Sequence, residues 1–313
     1  MFGFLVLLGG MLSLSTFAGG DDDEAESDDS SSTEDGDITD GEVVPIEADD
    51  GHPQDSGDPI ASGGHSAGGG VVVKNTEGRD MVAAGAGDDT IEAGAGDIIH
   101  GQGGDDVIHG REGVLAARGG AGDDLLDFSE GGSDDPVLEG RGEDGADTLR
   151  GSAGNDFLVG GAGEDRIEGG DGADTIIGGE DGTIHDMGGF SAEDDGAPDH
   201  IDAGDGDDLV LAGAGDIVRL GGGADVVSVN AGEGTSASIV FEDFTPGEDL
   251  VEVHVPGAED GSANFADYVA SRVTTDAGTT ITLKTGQTLV FEGAGSGISD
   301  DAFVIIRSGL TAA

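Results

Sequence analysis

The chain has 313 residues, with 64 Gly, 68 Asp and Glu, only 11 Lys and Arg, no Trp and no Cys, giving a formal charge of −57. A chain this acidic and this poor in aromatics cannot offset its ordering entropy by core packing alone, so it stays unfolded unless something cationic holds it together. The charge excludes nucleic acid as a partner and disfavours an anionic membrane surface, while the lack of Cys removes disulfides, thiolate metal sites and a Cys nucleophile.

Residues 2–18, FGFLVLLGGMLSLSTFA, form an apolar run that stops abruptly at GGDDDEAE. The run has the character of a signal-peptide core, with Thr16-Phe17-Ala18 as a loose small-x-small cleavage site, yet no Lys or Arg precedes it. It is also at the short limit for a membrane span. Residues 1–18 are therefore an apolar signal or membrane-anchor segment, and membrane contact is expected only through it, if it stays uncleaved. Residues 19–70, rich in Asp, Glu, Ser and Gly, read as a disordered acidic linker. Val71-Val72-Val73 opens the ordered part, assigned to residues 71–228.

From Asn75 the sequence becomes self-similar with a nine-residue period. The units are 75–83 (NTEGRDMVA), 84–92 (AGAGDDTIE), the eight-residue 93–100 (AGAGDIIH), 101–109 (GQGGDDVIH), the degenerate 110–118 (GREGVLAAR) and 119–127 (GGAGDDLLD). After a worn stretch containing GGSDDPVLE, the pattern resumes at 142–150, 151–159, 160–168 and 169–177, then decays at 178–186. A third block covers 194–202, 203–211, the eight-residue 212–219 (AGAGDIVR) and 220–228. Glycine at positions two and four permits a tight turn whose carbonyls can point at one spot. Aspartate at position six adds a hard oxygen ligand suited to calcium, which takes six to eight oxygens. Ile91, Ile108, Leu126, Leu149, Leu158, Ile167, Ile176, Ile201, Val210 and Val227 fall at position eight, the inward residue of a three-residue strand. One unit cannot bury that side chain alone, so units must stack. Acidity serving only solvation would scatter Asp over the surface, whereas here Asp is phase-locked to the aliphatic position.

These repeats resemble the G-G-x-G-x-D-x-U-x nonapeptide of the RTX (repeats-in-toxin) family, in which U is a large aliphatic residue. The resemblance covers about half of the chain. It implies an all-β fold: a right-handed parallel β-roll with two units per turn, calcium lying between turns, and a C-terminal β cap. The implied calcium ligands are the position-six carboxylates of Asp80, Asp89, Asp97, Asp106, Asp124, Asp147, Asp156, Asp165, Asp174, Asp199, Asp208, Asp216 and Asp225, with glycine-turn carbonyls completing the shell. Units 110–118 and 178–186 lack Asp at position six and are expected to hold no calcium.

In residues 229–313, SIVFEDF, DLVEVHV, TTITLK, QTLVFEG and DAFVIIR read as strands that shield the open end of the roll. DAFVII near the end resembles the uncleaved secretion signal of RTX proteins, which implies a secretion apparatus as a partner and a type I route; the apolar N-terminus points to a different route. The G-x-S-x-G at Gly64-His65-Ser66-Ala67-Gly68 is a chance match, since no strand and helix frame it. The seven His residues form no H-E-x-x-H, and no EF-hand loop or dinucleotide cradle is present. The sequence thus points to a non-enzymatic calcium-binding protein, extracellular or at the cell surface. Two alternatives remain: a secreted hydrolase with a site in 229–313, and an accessory or adhesive module for a partner protein.

Overall fold

The computed structural model describes residues 43–45, 59–62, 70, 72–74, 80–111, 113–133, 137–179, 196–231, 237–256, 264–294 and 297–308, all within the compact unit Ile38–Ala313. The apolar segment 1–18, most of the linker 19–70 and most of the decayed unit 178–186 lie outside the described residues.

Two sheets face each other. In neighbour order, the first contains Val43–Pro45, Val72–Lys74, Thr90–Ala93, Val107–Gly110, Leu125–Asp127, Thr148–Arg150, Arg166–Asp171, His200–Asp205, Ile217–Arg219, Ser238–Phe241, Thr288–Glu292, Gly278–Leu283 and Val269–Thr275. The second contains Pro59–Ser62, Met81–Ala86, Ile98–Gly103, Ala116–Ala121, Glu139–Asp144, Phe157–Ala162, Thr175–Ile177, Leu209–Ala212, Val226–Asn230, Leu250–Pro256 and Phe303–Ser308. As far as Leu250–Pro256, successive strands alternate between the sheets, so two strands make one turn of a parallel β-roll. The first two strands fall within the segment read as linker. Likewise Ser238–Phe241 and Leu250–Pro256 carry the parallel stack beyond the last repeat.

The period-nine pattern explains this architecture. In the first sheet, position-eight side chains stack in register as Ile91, Ile108, Leu126, Leu149, Ile167, Ile201 and Val218. In the second they run from Val82 through Ile99, Ala117, Gly140, Leu158, Ile176 and Val210 to Val227. The aliphatic members of both columns are buried in one core. Each buried Ile or Leu contributes about 1.5–3 kcal/mol, a gain available only when the neighbouring turns are in place. Gly110 leaves room that the buried ring of Phe128 occupies, since a Cβ there would strike it.

All five strands read from the C-terminal sequence are present. A sixth, Val269–Thr275, was not anticipated, because its largely exposed side chains leave no alternation to read. It forms an antiparallel arrangement with Gly278–Leu283 and Thr288–Glu292. Phe241 stacks on Phe291 at 4.7 Å between centroids, and Phe265 on Phe303 at 3.8 Å, closing this end of the core.

The outer faces differ. On the first sheet, Arg150 bridges Asp127 at 3.0 Å and Glu168 at 3.1 Å, and Arg219 bridges Asp202 at 3.4 Å. On the second, the outward-facing Val159, Ile177 and Leu211 are buried and, with Phe157 and Leu209, make an apolar cluster separate from the main core.

Turn geometry makes position four sensitive to any side chain. Gly122, at position four, has φ +137°, and a Cβ there would collide with the Gly104 carbonyl one turn back. Gly122→Ala is expected to cost about 2–3 kcal/mol in urea unfolding of the calcium-loaded protein. At position two, Gln102 sits at φ 88° although it is not glycine. Gln102→Gly is expected to gain about 0.5–1 kcal/mol by relieving that backbone strain.

Candidate metal centre

Each turn presents oxygens at its edge because glycine lets adjacent backbones touch. At position two, a Cβ on Gly161 would strike the carbonyl of Glu143; at position four, one on Gly163 would strike that of Gly145. Rows of carbonyl oxygens therefore run along the roll edges, each aimed at the next turn's glycine.

Position-six aspartates stand immediately before the strands, which places them in two columns. Along one edge run Asp89, Asp106, Asp124, Asp147, Asp165, Asp199 and Asp216, each preceding a first-sheet strand. Along the other run Asp80 and Asp97, then Asp156, Asp174, Asp208 and Asp225. Between those two groups the same register is held by Leu115 and Leu138, whose carbonyls accept from Glu139 and Phe157 N–H. Twelve of the thirteen sequence-predicted aspartates are buried, at 3% exposure or less, and Asp80 is half-buried.

The columns are tied by one repeated hydrogen bond. The backbone N–H of each aspartate donates to Oδ1 of the aspartate one turn on: Asp89 to Asp106 at 2.8 Å, Asp106 to Asp124 at 2.7 Å, Asp124 to Asp147 at 2.7 Å and Asp147 to Asp165 at 2.8 Å. The other column repeats it, with Asp156 to Asp174 at 2.8 Å, Asp174 to Asp208 at 2.8 Å and Asp208 to Asp225 at 2.9 Å. Oδ2 behaves differently. In Asp106, Asp124, Asp147, Asp174, Asp208 and Asp225 it is buried with no hydrogen-bond donor. A buried carboxylate oxygen left this way carries a large desolvation cost unless a cation meets it.

Glycine at position one keeps space open beside several of these oxygens. A Cβ on Gly101 would collide with Asp106 Oδ2 and lie 2.6 Å from the Gly119 carbonyl oxygen of the adjacent turn. Gly142 stands in the same relation to Asp147 Oδ2 and to the Gly160 carbonyl, at 2.5 Å from the latter. The donor set is oxygen only, drawn from two turns, as a hard cation requires. Among the described residues no three His, Asp or Glu side chains gather into a metal-binding group, so backbone carbonyls must supply much of any coordination shell.

Burial pushes the carboxyls of Asp106, Asp124, Asp147 and Asp225 up to about 7, that of Asp208 to about 6 and that of Asp174 to about 8. The donated backbone N–H pulls each one back down, while nearby aspartates add to the rise. Asp80 is raised by burial and then by Asp97.

Two features were missed in the sequence. Position-five residues form an exposed outer column, in which Asp88 Oδ1 accepts from Asp105 N–H at 3.1 Å and Asp105 Oδ1 from Asp123 N–H at 3.0 Å. The doubled Asp in GAGDD, GGDD and GDGDD was the available signal. Asp249 continues the second column, its Oδ1 accepting from Asp225 N–H at 3.3 Å. A 24-residue spacing from Asp225 hid it from a nine-residue period, although Asp249 opens the alternating strand DLVEV.

A family model, the RTX calcium-binding nonapeptide repeat, matches in four copies, at residues 75–97, 97–114, 141–176 and 193–216. Repeats of this kind bind calcium at multiple sites. No curated protein matches the sequence. Among solved structures, the extracellular lipase LipA from Serratia marcescens aligns at 15% identity and a TM-score of 0.26, covering 77% of this chain. The chain spans 41% of that lipase, and a likeness at this level carries nothing about activity.

The raised carboxyls set a pH dependence. They hold protons more tightly in the roll than at the ordinary value of 3.8, so the calcium-free roll is most stable below that value and loses this stability as pH rises through about 6–8. Circular dichroism in chelator is expected to show more β structure at about pH 5 than at about pH 8.5, with calcium restoring it at the higher pH. Equal β content at both pH values in chelator would contradict the assignment.

Proposed function

We propose that this chain, which carries RTX calcium-binding nonapeptide repeats, is a non-enzymatic extracellular or surface-displayed protein whose roll forms when calcium binds. The buried, donorless Oδ2 atoms of Asp106, Asp124, Asp147, Asp174, Asp208 and Asp225 carry this reading. With Asp80, Asp89, Asp165 and Asp199 in the same register, they are the proposed side-chain ligands, and the glycine-turn carbonyls are the backbone ligands. Bound calcium supplies the positive charge that lets these carboxylates ionise side by side.

The chain's own contribution is to hold the oxygens in register. The N–H to Oδ1 bond fixes each carboxylate's orientation, and position-eight packing fixes turn spacing. Without the cation, the charge of −57 opposes compaction through self-repulsion. Extracellular calcium modules work at about 10⁻⁴–10⁻³ M, above what the cytosol offers, so the roll is expected to form only after export.

Removing calcium with chelator at neutral pH is expected to abolish most β structure, millimolar calcium to restore it, and magnesium to substitute poorly because it demands tighter octahedral geometry. Unchanged β content in chelator and in calcium would refute calcium-dependent folding. Asp174→Ala is expected to weaken calcium-induced folding far more than Asp28→Ala in the acidic N-terminal segment, although each removes one charge. For export, deletion of residues 2–18 and, separately, of 296–313 is expected to show one deletion abolishing protein in the medium. Export surviving both would refute both routes.

A further inference from the structure

The thirteen position-six aspartates do not share one chemistry. We infer that Asp97, Asp156 and Asp216, each beside a turn that offers no position-six carboxylate, close their own turns by capping backbone N–H groups instead of binding calcium, which is held by aspartates such as Asp106, Asp124, Asp147, Asp174 and Asp208 inside the columns. This rests on the calcium-binding reading above.

At these ends Oδ2 has a local donor. Asp97 Oδ2 accepts from Gly94 N–H at 2.7 Å, and Asp216 Oδ2 from Gly213 N–H at 2.6 Å. Asp156 Oδ2 accepts from Ser152 N–H at 2.6 Å and from its hydroxyl at 3.0 Å. Each is buried as deeply as the interior aspartates. In all three Oδ1 accepts a backbone N–H from the preceding turn as well, at 3.4 Å from Leu138 in the case of Asp156. Both oxygens therefore face N–H dipoles, whose positive ends satisfy the carboxylate and repel a cation approaching from the turn.

The sequence supplies the reason. Asp97 and Asp216 lie in the two eight-residue units, both beginning AGAGDI, and the turn closes on the N–H three residues before the carboxylate. Both units also end a column: the next turn offers Leu115 after Asp97 and, in the register of Ile217↔Val240, Ile239 after Asp216. Asp156 starts its group after Leu138, and its unit carries Ser152 where most units have the position-two glycine. A site shared between turns needs oxygens from both, and at these ends the neighbouring turn has no carboxylate. Asp249 shows the same device at the far end of the second column, with Oδ2 accepting from Thr245 N–H at 2.7 Å.

Calcium stoichiometry on the full-length chain tests this, by titration calorimetry and by equilibrium dialysis with ⁴⁵Ca. Asp97→Asn with Asp216→Asn is expected to keep the wild-type number of ions, with affinity changed less than about twofold, while lowering the thermal midpoint through loss of the caps. Asp124→Asn with Asp174→Asn is expected to lose ions or to weaken binding at least about tenfold. Asp216→Asn alone, in the last repeat turn of its column, serves as the second variant should the double substitution fail to fold, and is expected to lose no ion. Equal loss of ions from the Asp97/Asp216 and Asp124/Asp174 pairs would overturn the division between ends and interior. A wild-type chain that binds no calcium would instead overturn the reading on which it rests.

Discussion

Carboxylates stacked one turn apart are the constraint on which the rest of this molecule depends. Parallel strands lie about 4.8 Å apart, and two unit charges at that spacing repel by about 3 kcal/mol at an effective dielectric of about 20. A column of several such neighbours in a chain whose net charge is already −57 cannot ionise and remain folded without compensation. The N–H to Oδ1 bonds supply part of it, and the donorless Oδ2 atoms mark what is left over. The same repetition that makes the aliphatic core continuous makes the acidic edges continuous. Core and charge are therefore one problem.

Much of this was legible in the sequence because the signal is a phase relation repeated many times. Position eight gave the core from Ile91 to Val227, and position six gave the edge aspartates, all but Asp80 fully buried. What escaped notice departs from the period or is set by local geometry. Asp249 lies 24 residues beyond Asp225, and the strand Val269–Thr275 faces solvent without alternation. The two strands at Val43–Pro45 and Pro59–Ser62 sit in acidic surroundings that mask three or four residues of β character. Identical letters also conceal different roles. Asp97 and Asp106 are both position-six aspartates, and the missing residue of the eight-residue unit takes its meaning only from the hydrogen bond that Gly94 then makes to Asp97.

The scarce cationic side chains are placed with similar economy. Arg150 lies between Asp127 and Glu168 on consecutive strands, so one guanidinium serves two carboxylates across three turns of the first sheet. All three groups are partly exposed, and such pairs each contribute only about 0–1 kcal/mol. Their effect is to interrupt a like-charge row, and the roll's stability must come from its edges and core. The second sheet has no such row in its later turns, where Val159, Ile177 and Leu211 replace charge with an apolar strip.

A stack of parallel strands has no intrinsic stopping point, since the open edge of the last strand is a template for another of the same polarity, including one from a different molecule. The two poles of this roll handle that hazard differently. At the start, the outermost strand of each sheet contains a proline, Pro45 in one and Pro59 in the other, which withholds an N–H from any incoming strand. At the finish, the first sheet leaves the repeat pattern: Gly278–Leu283 runs antiparallel to Thr288–Glu292, and the edge strand Val269–Thr275, antiparallel to it in turn, has largely exposed side chains and no buried aliphatic position of the kind the repeats stack. The prolines at the start withhold donors, and the exposed edge strand of the first sheet at the finish lacks the aliphatic column on which a further repeat would stack. The length of the array is set by the gene, and repeats can be gained or lost in its middle while the strands at its two ends stay the same.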